Sequence, residues 1–153
     1  MSDATPIDSF AGDYRFLSNF YPATVVLDGT EYPSVEHAFQ AAKTLEVSDR
    51  VPILAMGPGD AKRYGRTLRL RPDWESAKID VMASLLRQKF DPARHPELTE
   101  KLVATRLHEL IEGNYWHDCF WGRCTCDYHK ARGENWLGRI LMIVRAEGAV
   151  LHR

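Results

Sequence analysis

The most constraining feature of the chain is the pair Asp28-Gly29, set between Thr24-Val25-Val26-Leu27 and Thr30-Glu31-Tyr32. Two short β-prone runs joined by Asp-Gly predict a hairpin, because the favoured two-residue turn needs positive φ at both central positions. The hairpin runs straight into Pro33-Ser34, a helix start in which the Ser34 hydroxyl can meet the free amides of the first turn. Val35, Ala38, Phe39 and Ala42 then recur as one apolar face. Glu36, Gln40 and Lys43, at i, i+4 and i+7, line one edge of that helix, so the hairpin decides where an acid, an amide and an amine point. A solvated edge beside a core stripe is the ordinary explanation of such a pattern; a shared catalytic wall is the other.

With 153 residues the chain is expected to be one domain, 1–153 with a core from about 7 to 146. A formal net charge of -1 gives no global grip on a polyanion, so any such contact would come from a local patch. No apolar run reaches membrane-spanning length, and the opening Met1-Ser2-Asp3-Ala4-Thr5-Pro6 has neither a basic start nor an apolar stretch. The expectation is a cytoplasmic protein without a membrane partner. Cys119, Cys124 and Cys126, odd in number and crowded together, read as reduced thiols.

Further along, Ile7 to Phe10 reads as a short strand, and Leu45 to Leu54 as a mixed stretch with a short helix. Asp60 is expected to cap a brief helix ending at Gly65, and Asp73 to cap a core helix from Trp74 to about Phe90. Glu97 to Thr105 reads as a helix, Leu107 to Ile111 as a strand, and Gly113 to Gly133 as a long loop. Glu134 or Asn135 opens a last helix through about Ala146. The fold class is therefore α+β, a single compact, mostly helical domain with a small hairpin-containing β-sheet.

Two chemistries are disfavoured. Neither G-x-x-x-x-G-K-[ST] nor G-x-G-x-x-G occurs, so any phosphate would fall to arginines and loop amides, and Lys62, Arg63, Arg66, Arg69 and Arg71 supply a basic segment. His117, Cys119, Cys124, Cys126 and His129 offer metal ligands, yet a single residue separates Cys124 from Cys126 where structural zinc sites usually have two or more. No metal is expected.

Phe16-Leu17-Ser18-Asn19-Phe20, the block Glu36-His37-Ala38-Phe39-Gln40-Ala41-Ala42-Lys43, Gly65-Arg66, Trp74-Glu75, Asp118 with Trp121-Gly122, and Gly133-Glu134-Asn135 with Leu137-Gly138 occur in that order. Together they resemble the NADAR family, also called YbiA-like, from about Ile7 to Arg145. The resemblance implies a cofactor-free N-glycosidase acting on N-linked ribose. Its substrate would be either a phosphoribosylamino-pyrimidine intermediate of riboflavin synthesis or ADP-ribose on guanine of DNA or RNA. It also implies that Glu36 is the catalytic acid and that Lys43 forms a Schiff base with the ring-opened sugar. In the same way Asn19 would hydrogen-bond the sugar or base, Phe20 and Trp121 would stack or shape the pocket, and Asp118 and Asn135 would hold ribose hydroxyls or loop geometry. Gln40, Trp74 and Gly122 join this substrate-binding set, and Arg66 is assigned to phosphate. One departure stands out: Arg-Cys-Thr-Cys-Asp-Tyr-His-Lys-Ala-Arg, between Gly122 and Gly133, replaces a shorter glycine-rich run of some members. The competing reading is a non-catalytic module that binds ADP-ribose or a related nucleotide; it has no need of an acid and an amine on one stripe.

Overall fold

The computed structural model describes residues 4–151, so the first three residues of the opening segment read above lie outside it. The chain is α+β and mostly helical, and it divides into two compact units, one spanning Asn19–Lys89 and the other built from the two ends of the chain.

In the first unit β1 (Val25–Leu27) and β2 (Thr30–Tyr32) pair antiparallel, Val25 opposite Tyr32 and Leu27 opposite Thr30. Asp28 and Gly29 turn the chain with φ of 49° and 81°, the positive values that the Asp-Gly signal calls for. Helix α1 (Val35–Ala42) follows, capped as expected by Ser34, whose hydroxyl accepts the His37 amide at 3.2 Å. All eight of its residues are buried, Glu36 and Gln40 of the polar stripe among them, and Lys43 just past its end is half-buried. Helix α2 (Val47–Arg50) runs on as a 3-10 turn, Val51–Ala55. Arg50 is buried and binds Asp28 at 2.7 Å and the Thr44 carbonyl at 2.9 Å, tying the hairpin turn to the chain that leaves α1.

Helix α3 (Pro58–Gly65) begins with proline in its first turn and Gly57 at its cap. Asp60 therefore lies inside the helix, where its carboxylate pairs with Arg63, and is not the expected cap. Helix α4 (Trp74–Lys89) is preceded by Asp73, whose carbonyl accepts the Ser76 and Ala77 amides. The Asp73 side chain binds Arg71 instead of capping. Helix α1 packs on α3 and α4, and Val35, Ala38, Phe39, Ala42, Trp74, Met82, Leu85 and Leu86 form the core. At the far end of α4 the Gln88 amide bonds both the N–H and the C=O of Val26, satisfying the free edge of the hairpin as a third strand would.

Lys89 is fully buried, its ammonium 5.7 Å from the Tyr21 ring centroid, and burial lowers its pKa to about 7. Below pH 7 both folded and unfolded chains carry the proton; above it only the unfolded chain stays charged. Stability should therefore rise as pH climbs from 7 toward the ordinary lysine range. Lys89→Met is expected to stabilise the protein by about 1–4 kcal/mol at pH 7 or below, less at pH 10, as read by denaturant unfolding.

In the second unit a 3-10 helix, Gly12–Leu17, buries Phe16 and Leu17. The two strands expected at 7–10 and 107–111 shrink to a single parallel bridge, Ile7 with Leu110. Helix α5 (Pro96–Ala104) packs against α6 (Trp136–Leu151), which runs past the expected end at Ala146. Between them the expected loop contains a two-residue parallel ladder, β3 (Gly113–Asn114) with β4 (Arg123–Cys124). No helix among the described residues is long and apolar enough to cross a membrane.

Candidate active site

Helix α1 is anchored at its start by His37. The Met56 carbonyl lies 2.7 Å from Nε2 and can only accept, so Nε2 carries the hydrogen; Nδ1 meets the Ser34 hydroxyl at 2.6 Å. His37 is thus a strut from the first turn of α1 to the 3-10 turn. One residue earlier, the Glu36 amide donates to the Asn19 carbonyl at 3.1 Å, and Gln40 Nε2 donates to Glu36 Oε1 at 2.8 Å.

Glu36 is 7% exposed. Burial pushes its carboxyl above the usual range, against the Gln40 hydrogen bond and the attraction of Lys62, Lys43 and His37. The dipole at the start of a helix would have kept it ionised, and desolvation outweighs that. Lys43, at the C-terminal end of α1, is half-buried, and burial lowers its amine below the usual lysine range. Glu36 opposes this shift; Arg66 and Lys62 add to it by repulsion. The two groups are therefore both drawn toward their neutral forms, a carboxylic acid and a free amine.

The cations come from α3 and its end. Lys62 and Arg66 stand four residues apart and so share a face, and the Lys62 ammonium lies 5.9 Å from the exposed Phe20 ring. In the sequence Lys62 stood only as one cation of the basic segment; its i, i+4 spacing to Arg66 was the signal that pairs the two. Contact between α1 and α3 is direct: a Cβ on Gly65 would stand 1.8 Å from Gln40 Oε1. Gly65→Ala is expected to push Gln40 off Glu36, lowering kcat/KM by about 10–100-fold and stability by about 1–3 kcal/mol, measured by steady-state assay and thermal melt.

Two side-chain acceptors in this unit, Asn19 Oδ1 and Gln40 Oε1, are buried with no hydrogen-bond partner among the described residues. Each is one bond away from Glu36, Asn19 through its backbone and Gln40 through its amide. Asn19 Nδ2 reaches Met82 Sδ at 3.5 Å. Trp74 is buried, its ring 5.1 Å from that of Phe39, so it packs under the apolar face of α1.

Asp118, Trp121, Gly122 and Asn135 belong to the other unit. Asp118 Oδ1 accepts the Phe120 and Trp121 amides at 3.1 and 2.9 Å, and its own amide and carbonyl are held by Asn114, a buried residue that sequence reasoning passed over. Asn135, left-handed at φ 53° and 1% exposed, accepts from the Glu112 amide and donates to the Leu110 carbonyl. Both residues shape the loop. Gly122 has no room for a side chain, since a Cβ would fall 2.0 Å from the Glu112 carbonyl oxygen. Trp121 is half-buried with its ring edge-on to Phe120.

The sequence matches the family model described as the NADAR domain over residues 8–147. It is 38% identical over 145 residues to the N-glycosidase YbiA of Shigella flexneri, covering 93% of this chain and 86% of that protein. It is also 38% identical over 138 residues to a riboflavin biosynthesis protein of Vibrio vulnificus, covering 88% of this chain but 36% of that longer one. The NMR structure of the E. coli protein YbiA is similar with a TM-score of 0.80 at 36% identity, covering 99% of this chain and 89% of that one.

Proposed function

We propose a lysine-imine route for this chain, which belongs to the NADAR domain family and is a hydrolase of N-glycosyl bonds. The observation that carries the route is the placement of the pair: Glu36, buried and held by Gln40 at 2.8 Å, and Lys43, half-buried at the end of the same helix, with burial drawing each toward its neutral form. An N-ribosyl amine opens to an imine at the anomeric carbon, and the ring oxygen leaves as a hydroxyl with a proton from Glu36. The free Lys43 amine adds to that carbon; the departing amine leaves with a proton, and the sugar remains on Nζ as an imine. Water adds, the Nζ–carbon bond breaks, and the products are the free amine and the sugar aldehyde, with Lys43 restored. Net, one water is consumed.

The orphaned acceptors Asn19 Oδ1 and Gln40 Oε1 would take hydrogen bonds from sugar hydroxyls, since a buried acceptor left unpaired is costly. Arg66, with Lys62 beside it, would hold a phosphate. For the substrate we favour a phosphoribosylamino-pyrimidine over ADP-ribosylated guanine. The Vibrio relative's name points that way, and a net charge of -1 gives little general affinity for nucleic acid.

Borohydride added during turnover should leave a reduced sugar adduct on Lys43, read by intact mass and peptide mapping. Turnover without an adduct, or with one on a different residue, would sink the imine. A parallel assay with the riboflavin intermediates and ADP-ribosylated DNA should show the pyrimidine consumed faster; the reverse order would overturn the substrate assignment and leave the imine standing.

A further inference from the structure

We propose that His117, Cys124, Cys126 and His129 bind one zinc ion in a closed, structural site. Their four ligand atoms lie within 4.8 Å of one another, on residues that the active-site reading does not use. Cys124 Sγ is 3.9 Å from His117 Nδ1, and Cys126 Sγ is 3.0 Å from His129 Nδ1. A tetrahedral zinc with thiolates at about 2.3 Å and imidazoles at about 2.0–2.1 Å needs ligand atoms about 3.3–3.8 Å apart, so small side-chain rotations close the set.

The spacing that argued against a metal is resolved by β4. Cys124 ends that strand and Cys126 lies two residues on in the bend that follows, where its amide meets Cys124 Sγ at 3.5 Å, so one intervening residue is enough to bring the two sulfurs together. A turn then brings His129 back: the Lys130 amide donates to the Cys126 carbonyl at 2.8 Å, and the Ala131 amide to the Cys124 carbonyl at 2.7 Å. Backbone amides also aim at both sulfurs, Cys126 N–H at Cys124 Sγ and His129 N–H at Cys126 Sγ, 3.5 and 3.4 Å, as donors around metal thiolates do. His117 arrives from upstream, its Nδ1 3.9 Å from Cys124 Sγ.

The donor set names the metal class. Two sulfurs and two imidazoles suit a borderline-soft divalent ion, and four protein ligands leave no position for water or substrate, which is the pattern of a structural and not a catalytic zinc. As the ion enters, the two thiol protons leave to solvent, and two thiolates neutralise its charge. The loop it would fasten carries Asp118, Trp121 and Gly122.

The test is elemental analysis of the intact protein expressed with zinc, followed by cobalt titration of the chelator-treated protein under reducing conditions. The expected result is one zinc per chain and, at one cobalt per chain, the intense visible bands of tetrahedral thiolate-bound cobalt. Cys126→Ser and His129→Asn should lose the bands, while Cys119→Ser keeps them. Less than about a tenth of a zinc per chain together with weak octahedral cobalt bands in the unsubstituted protein would overturn the site. So would tetrahedral bands that survive both ligand variants. The wild-type titration decides even where a variant fails to fold.

Discussion

Lys43→Met is expected to lower kcat by roughly three orders of magnitude or more and to abolish borohydride trapping, with the melting temperature unchanged or raised. Methionine keeps the length and apolar stem of lysine and removes the amine that the proposed route needs as nucleophile. It also removes a group that burial disfavours in charged form, so a drop in activity cannot be laid to unfolding if the melt holds. Lys43→Arg is the sharper companion: guanidinium keeps the charge but neither deprotonates nor forms the imine, and it should be as inactive as methionine. Steady-state kinetics on both, with a thermal melt, is the measurement. Retention of a tenth or more of wild-type kcat in either would remove Lys43 from the chemistry.

Glu36→Gln is expected to lower kcat by about 10²–10⁴-fold and to change the shape of the pH profile. On the proposed route the productive form has Glu36 protonated and Lys43 free. Activity falls toward acid as Lys43 takes up a proton and toward alkali as Glu36 loses one, giving a bell whose two limbs belong to the coupled pair. Glutamine cannot ionise, so the alkaline limb should vanish. The acid limb should stay, because where Lys43 takes up its proton Glu36 is already protonated and neutral, as glutamine is. A variant that keeps both limbs in place would show that the proton comes from elsewhere.

The hairpin and α1 were legible because each rests on a local rule. Asp28-Gly29 has the one dipeptide chemistry suited to its turn, and Ser34 caps through its own side chain. The burial of Glu36 and Gln40 was not legible, since nothing local says that α3 will cover them; that depends on Gly65 letting Gln40 approach. Asp60 misled for a related reason: Pro58 opened the helix two residues earlier, and the acid was left in the first turn. The strands expected near Ile7 and Leu110 show how weak a short apolar run is as a signal when a single bridge satisfies it. The β3–β4 ladder, two residues to a side, has no alternation to read at all. Asn135 was found through its motif, but its work as a strut between Leu110 and Glu112 became visible only in its hydrogen bonds. For the Cys and His cluster ligand spacing was counted along the chain, which does not show that the fold brings the four ligand atoms within 4.8 Å of one another.

The contact of Gln40 with Gly65 also acts as a caliper. With no side chain between them, α1 and α3 meet backbone to amide, and a close-packed contact of this kind transmits displacement instead of absorbing it. On the proposed reading, Lys43 on one helix and Lys62 with Arg66 on the other then stand at a set span. Substrates would be gauged by how far their phosphate lies from the anomeric carbon, and a sugar with its phosphate one bond nearer or farther would meet the cations or the amine, but not both.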